Sequence, residues 1–280
     1  MKVFLMTDIE GVAGVSSHAL HSYPEGKYHE EAKRRLTGEV NAAVDGLLAG
    51  GASEVLVADG HGPGGISFDH LHEKALLLHG RPITREQLLE PIWDCDVVAV
   101  VGQHARSGVA EGNQNHTFDS RAIDRMTLNG REIGETYYLA AWAGLKGIPV
   151  VFLSGDAAAC EEAETDIPGI VTATVKWGQG ANSEICLSSQ AAQGLIRTKV
   201  REALESHRRD PVQPIGLEGP YELRIRWFST QAADEAESVS GCERIDGKTT
   251  CYRSPSLLDA LRRLHRPEMP GVKPLSQVKI

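Results

Sequence analysis

The sequence predicts an α/β protein, a mostly parallel sheet flanked by helices, with a smaller C-terminal α+β lobe. Three observations carry this reading. Val3 to Met6, Asp96 to Gly102 and Pro149 to Ser154 are short apolar runs with no polar alternation, the pattern of strands buried on both faces. They alternate with helical periodicities, which calls for right-handed parallel crossovers through about residue 185. Beyond that point the pattern changes to a long amphipathic helix and alternating strands, so residues 1–187 and 188–280 are expected to form an α/β domain and an α+β lobe.

After the first strand, Glu30 to Leu48 carries Ala32, Leu36, Val40, Ala43, Val44 and Leu47 at helical spacing, and Gly50-Gly51 ends it. Glu54 to Ala58 is a second strand running into Asp59-Gly60-His61. The stretch from Leu71 to Leu89 is mixed and supports no assignment. Asp96 to Gly102 is a third strand, and the polar piece Gly112 to Phe118 reads as loop. Asn129-Gly130 favours a type I′ hairpin over Arg125 to Ile133. Ile133 to Leu145 reads as a helix with Glu135 in its first turn, Pro149 to Ser154 as a fourth strand, then a helix to about Glu164 and a fifth strand from Ile170 to Lys176. In the C-terminal part, Ser188 to Arg208 is helical, Tyr221 to Phe228 alternates like an antiparallel strand, and Asp246-Gly247 marks a second hairpin. Ser254-Pro255 is expected to open a last helix with Leu257, Leu258, Leu261 and Leu264 inward, followed by an irregular tail.

At 280 residues the chain can bury a large core. With 29 Lys and Arg against 38 Asp and Glu, the formal net charge is −9, which argues against nucleic acid or an anionic membrane as the main partner. The apolar run before Thr7 is too short for a signal peptide and acids follow it. The five cysteines are odd in number, widely spaced and form no C-x-x-C pair, so reduced thiols in the cytoplasm are expected, and any metal must use His and carboxylate ligands.

Such ligands stand at strand ends. Asp8 and Glu10 follow the first strand, His61 the second and His104 the third, while His116 lies in the polar loop downstream. Ligand crevices of open α/β sheets lie just beyond the carboxyl ends of the strands. Asp8 and Glu10 can aim at one point if the backbone between them stays extended, and would then repel each other without a cation or proton. His and carboxylate donors in this number suit two zinc ions sharing a bridging carboxylate, the equipment of metal-assisted hydrolysis. Each residue also has a plainer reading: a helix cap for the acids, a hydrogen-bonded structural residue for each histidine, and a dipole partner for Glu135. His18, His21, His29, His70, His72, His207 and His265 are set aside as loop or helix-surface residues. The glycines from Gly60 to Gly65 could cradle a phosphate, but no Gly-Lys-Ser/Thr follows them.

Thr7 to Gly14 (Thr-Asp-Ile-Glu-Gly-Val-Ala-Gly), Asp59-Gly60-His61, Gly102-Gln103-His104-Ala105-Arg106, Asn115-His116 and Ile133-Gly134-Glu135 occur in the order and approximate spacing of the DppA-like zinc D-aminopeptidases. The resemblance also takes in Ser154-Gly155-Asp156 and Val175-Lys176, and covers about the first 190 residues well and the rest loosely. It implies a two-zinc site in which Asp8 bridges both ions, Glu10 and Glu135 complete one shell, and His61 and His104 complete the other. It further implies that His116 is the unligated catalytic histidine. The implied activity is release of an N-terminal D-amino acid from a short peptide or amide by a ring-like homo-oligomer, typically a decamer. Asp156 is a candidate for the substrate amine. Gly60 departs from the serine of the family archetype, and the loops Ser16 to His29 and Gly62 to Asp69 are expected to line the specificity pocket. A metal-binding protein without peptidase activity, or a two-metal amidase or phosphoesterase, fits the bare residue pattern as well.

Overall fold

The structure is a computed structural model that describes residues 1–238 and 242–263. The chain forms β1 (Lys2–Thr7), α1 (His29–Ala49), β2 (Glu54–Asp59), β3 (Ala75–Leu78), α2 (Arg85–Leu89), β4 (Val97–Gln103), β5 (Ile123–Leu128), β6 (Arg131–Glu132), α3 (Glu135–Gly144), β7 (Val150–Asp156), α4 (Ala157–Asp166), β8 (Val171–Gly178), β9 (Glu184–Cys186), α5 (Ser189–Arg209), β10 (Tyr221–Trp227), α6 (Thr230–Glu237), β11 (Glu243–Asp246), β12 (Thr249–Ser254) and α7 (Leu257–Arg262). A seven-stranded sheet runs β3-β2-β1-β4-β7-β8-β9, parallel except at its β8–β9 edge. The expected α/β fold with helices on a mostly parallel sheet is therefore present. β4 and β7 are buried along their whole length, which is why they contain scarcely a polar residue.

β1 lies between β2 and β4. The chain leaves β1 in one direction through β2 to β3, then returns on the other side at β4. That reversal opens a crevice at the carboxyl end of β1, the position where this class of sheet binds its ligands. Beyond β1 the backbone does not stay extended: it turns, with Val12 N–H donating to the Ile9 carbonyl. Gly11 lies against the carbonyl of Gln103 and Gly102 (φ +81°) against that of Asp8, so a Cβ at either position would collide with backbone. The close seam between the two strand ends, not loop flexibility, demands glycine there.

A second sheet, β11-β12-β10-β5-β6, is antiparallel. Its β5–β6 hairpin turns through Asn129 (φ 51°) and Gly130 (φ 79°), the type I′ signature, and β10 pairs with β5 from a distant part of the chain. α5 packs against α1 and against β7 and β8 of the main sheet. The last helix starts later than the sequence suggests: Ser256 caps it by accepting from Asp259 N–H, while Ser254 Oγ accepts from Ser256 N–H. Leu264, His265 and the tail lie outside the described residues. Among the described residues no helix is long and apolar enough to cross a membrane.

Candidate metal centre

The sheet brings the predicted residues together. His61, after β2, places Nδ1 3.3 Å from Asp8 Oδ1 and 3.2 Å from Glu10 Oε2. His104, after β4, places Nε2 3.2 Å from Asp8 Oδ2 and 3.4 Å from Glu135 Oε1. His116 Nε2 is 3.9 Å from that same Glu135 oxygen. Asp8 thus stands between two groups, with Glu10 and His61 on one side and Glu135 and His104 on the other. His61 and His104 hang from strands on opposite sides of β1, so each ring meets a different second acid, while the donors of Asp8, Glu10 and His104 also lie within 4.8 Å of one another.

The tautomers are set by backbone carbonyls. His61 Nε2–H donates to Ser22 (2.8 Å), His104 Nδ1–H to Ala105 (2.8 Å) and His116 Nδ1–H to Gln114 (2.9 Å). Each ring, when neutral, therefore turns a lone pair toward the carboxylates. Acceptors facing acceptors at 3.2–3.4 Å need something positive between them. His104 Nε2 and Glu10 Oε2 are buried and have no hydrogen-bond partner. Ligands at about 2.0–2.2 Å from a tetrahedral zinc lie roughly 3.3–3.5 Å from one another, so the observed spacings fit that ion. Donor atoms of Asp8, Glu10 and His104 lie within 4.8 Å of one another, as do those of His104, His116 and Glu135.

Protons fill the same role when no metal is bound. Burial pushes His61 and His104 toward neutrality, but the facing carboxylates outweigh it and hold both well above the usual histidine range. Burial likewise opposes ionisation of Glu10 and Glu135, yet the imidazoles win: Glu10 is held well below the carboxylate range and Glu135 falls to about 2. His116 goes the other way, lowered by burial and by the neighbouring His104.

Surrounding residues hold this arrangement. Lys176, fully buried on β8, donates to the carbonyls of Glu10 and Val15 (2.7 Å for Val15) and to Asn113 Oδ1 (2.9 Å), and pairs with Glu184 at 3.0 Å. Asp59 accepts from Gly65 N–H (2.8 Å) and Ile66 N–H (3.3 Å). The glycine loop is therefore closed on its own carboxylate to present His61, and is not a phosphate cradle. Gln114 (φ 53°) and Phe118 (φ 61°) flank His116 in left-handed backbone that side chains of this size rarely adopt.

Two readings change. Asp156 is fully buried; it caps α4 by accepting from Ala158 N–H (2.9 Å) and also accepts from Asn113 N–H (3.2 Å), so it offers nothing to a substrate amine. His18, set aside as a loop residue, belongs to the site. Its Nδ1 lies 3.7 Å from Glu10 Oε1, and its ring meets His116 edge-on at 5.2 Å and stacks on Tyr23 at 5.5 Å. A π-helical turn at His18–Ser22 folds it over the crevice, and no strand-end signal in the sequence marks such a turn. His70 and His72 are engaged elsewhere, with Ser67 and Asp45.

A model of the D-aminopeptidase family matches residues 1–265. The chain is 28% identical over 268 residues to a D-aminopeptidase of Bacillus subtilis (strain 168), an alignment spanning 94% of this chain and 95% of that one. It is also similar to a solved structure described as the Zn-dependent D-aminopeptidase DppA from Bacillus subtilis, a self-compartmentalizing protease, with a TM-score of 0.88 and 26% identity over 94% of this chain and 95% of that chain. The likeness thus extends well past residue 190, through the second sheet. The chain belongs to the D-aminopeptidase family and is a hydrolase of peptide bonds.

Proposed function

We propose that each subunit binds two zinc ions through Asp8, Glu10, His61, His104 and Glu135, with Asp8 shared, and releases an N-terminal D-amino acid from short peptides or amides. The observation that carries this is the convergence of lone pairs from two imidazoles and three carboxylates, with buried donor atoms left unpartnered, at the spacing of a zinc shell. Bound zinc supplies a water acidified toward neutral pH and polarisation of the scissile carbonyl. The protein's own part is to hold that geometry and to move a proton. His116 suits the proton transfer, because its Nδ1–H is fixed on the Gln114 carbonyl and Nε2 faces the centre, able to take a proton or return it to the leaving amine. Pinning of the Glu10 loop by Lys176 and of His61 by Ser22 keeps the donors from relaxing apart.

The test pairs metal content per chain with a panel of D- and L-aminoacyl amides. About two zinc per chain and release from D-substrates are expected; release from no member of the panel would sink the substrate assignment. A closed homo-oligomer is supported by the similarity to a self-compartmentalizing protease; the subunit number, ten by the resemblance of the sequence motifs, is read by solution mass. A cytoplasmic location is supported by cysteines that pair with none of their own kind.

A further inference from the structure

Arg85 is the first residue of α2 and is firmly placed. Thr84 Oγ1 accepts from Gln87 N–H (3.1 Å) while Gln87 Oε1 accepts from Thr84 N–H (2.9 Å), a reciprocal cap. The segment before it is tied to the metal-binding loop by Arg81, which donates to the carbonyls of Asp59 (3.0 Å), Gly62 (2.6 Å) and His61. The Arg85 guanidinium lies 3.7 Å over the Phe118 ring and 5.9 Å from the Tyr138 ring. Phe118 in turn donates its backbone N–H to Glu135 Oε1 at 2.7 Å. One aromatic residue therefore links this guanidinium to the metal centre.

Among the described residues, Arg85 makes no hydrogen bond and no ion pair within 4 Å; its only close partners are ring faces. Burial draws its pKa down, opposed by the carboxylates of Glu135 and Asp8. Once two cations occupy the centre, Asp8 and Glu135 are neutralised by them, and the half-buried guanidinium is left without a counter-ion. The centre is accessible on Arg85's side, where the side chains of Glu135 and His116 are 20% and 12% exposed.

We propose that Arg85 receives the free α-carboxylate of the residue on the leaving side of the scissile bond, so that dipeptides with an unblocked C-terminus are the preferred substrates. This rests on the peptidase reading. In a dipeptide the carboxylate sits two covalent bonds from the scissile nitrogen, the end that points away from the bound N-terminal residue. A guanidinium whose carbon sits 3.7 Å from a ring centroid, with no hydrogen-bond partner among the described residues, has N–H groups available for bidentate capture of that group. Longer peptides and amides present no negative charge at this point.

The test uses the zinc-loaded His116→Ala protein, whose turnover is slowed roughly 10²–10⁴-fold, and titration calorimetry with D-alanyl-glycine and D-alanyl-glycinamide. The acid is expected to bind on the order of 10–100-fold tighter than the amide, as charge-assisted pairing implies. Adding Arg85→Met should bring that ratio to near one with zinc content intact, and Arg85→Lys should restore part of it. An acid bound no more tightly than the amide, or a preference that persists in Arg85→Met, overturns the assignment. If Arg85 only balances Asp8 and Glu135, its loss shifts zinc affinity and both ligands alike, which also overturns it. A preference that follows Arg85 in a protein that hydrolyses nothing would uphold the carboxylate site and count against the peptidase reading alone.

Discussion

His104 and His116 stack face to face, their ring centroids 3.8 Å apart and their planes 16° from parallel. One ring points its free nitrogen between Asp8 and Glu135, the other toward Glu135 from outside. The imidazole set between the two acids is thus the floor on which the outer one lies. Backbone strain at Gln114 and Phe118, of order 1–3 kcal/mol each, fixes the outer ring. Gln114 offsets part of it by donating to the Val15 carbonyl at 2.8 Å and accepting from Ser22 Oγ at 2.8 Å.

Replacing His116 by alanine should separate binding from turnover. Zinc per chain is expected to stay at the wild-type value while kcat falls roughly 10²–10⁴-fold. Full turnover in this variant, on any substrate the wild type cleaves, would remove His116 from the chemistry.

Asp8→Asn keeps the shape and removes the charge shared by both histidine groups. Metal content and activity should fall together. An Asp8→Asn protein that keeps its full zinc complement in elemental analysis would show that Asp8 is not the shared ligand.

Removing the metal should invert the pH dependence of stability. In metal-free protein His61 and His104 bind protons more tightly folded than unfolded. Their contribution is full below about 6.5 and is lost as pH rises through the folded values. The contribution of Glu135 is present above about 4.5 and is lost as pH falls toward about 2. His116, lowered by burial, steepens the loss on the acid side. The metal-free Tm should peak near pH ~5–6 and fall toward pH ~9, whereas zinc affinity rises over the same range because ligation needs neutral imidazole. A metal-free Tm that climbs steadily from pH 6 to 9 would contradict this.

Lys176→Met leaves the Glu10 and Val15 carbonyls with only the Gln114 amide as side-chain donor and Glu184 without its partner, all in the interior. Loss of one member of a buried ion pair costs about 3–5 kcal/mol. Denaturant titration should show a drop of that size, and a chelator competition should show weaker zinc binding. Unchanged zinc affinity would mean the ammonium braces only the fold.

The strands that carry the centre are legible in the sequence because burial on both faces leaves uninterrupted apolar runs, as at Val3–Met6 and Asp96–Gly102. Their ends then point to Asp8, Glu10, His61 and His104. Glu135 and His116 lie on no such run and are recognisable through family resemblance. β3 and α2 escape a sequence reading: Ala75–Leu78 is an edge strand held by β2 alone, and α2 is only five residues long. The short α6 escapes it too. The pairing of β5 with β10 is written in no local pattern, because both strands alternate as any half-buried strand does. His18 shows the same limit, reaching the site on a short turn whose purpose emerges only when the crevice beneath it exists.

Lys176 stands 166 positions along the chain from Glu10. During synthesis, every donor from Asp8 to Glu135 emerges before the ammonium that anchors the first loop. A nascent chain that ends at β7 holds all the proposed ligands but not the clamp on the Glu10 loop, so with that ligand set firm cation capture must wait until β8 docks on the sheet. Loading is thereby tied to near-completion of the fold, and a truncated translation product would be a poor competitor for the cell's free zinc.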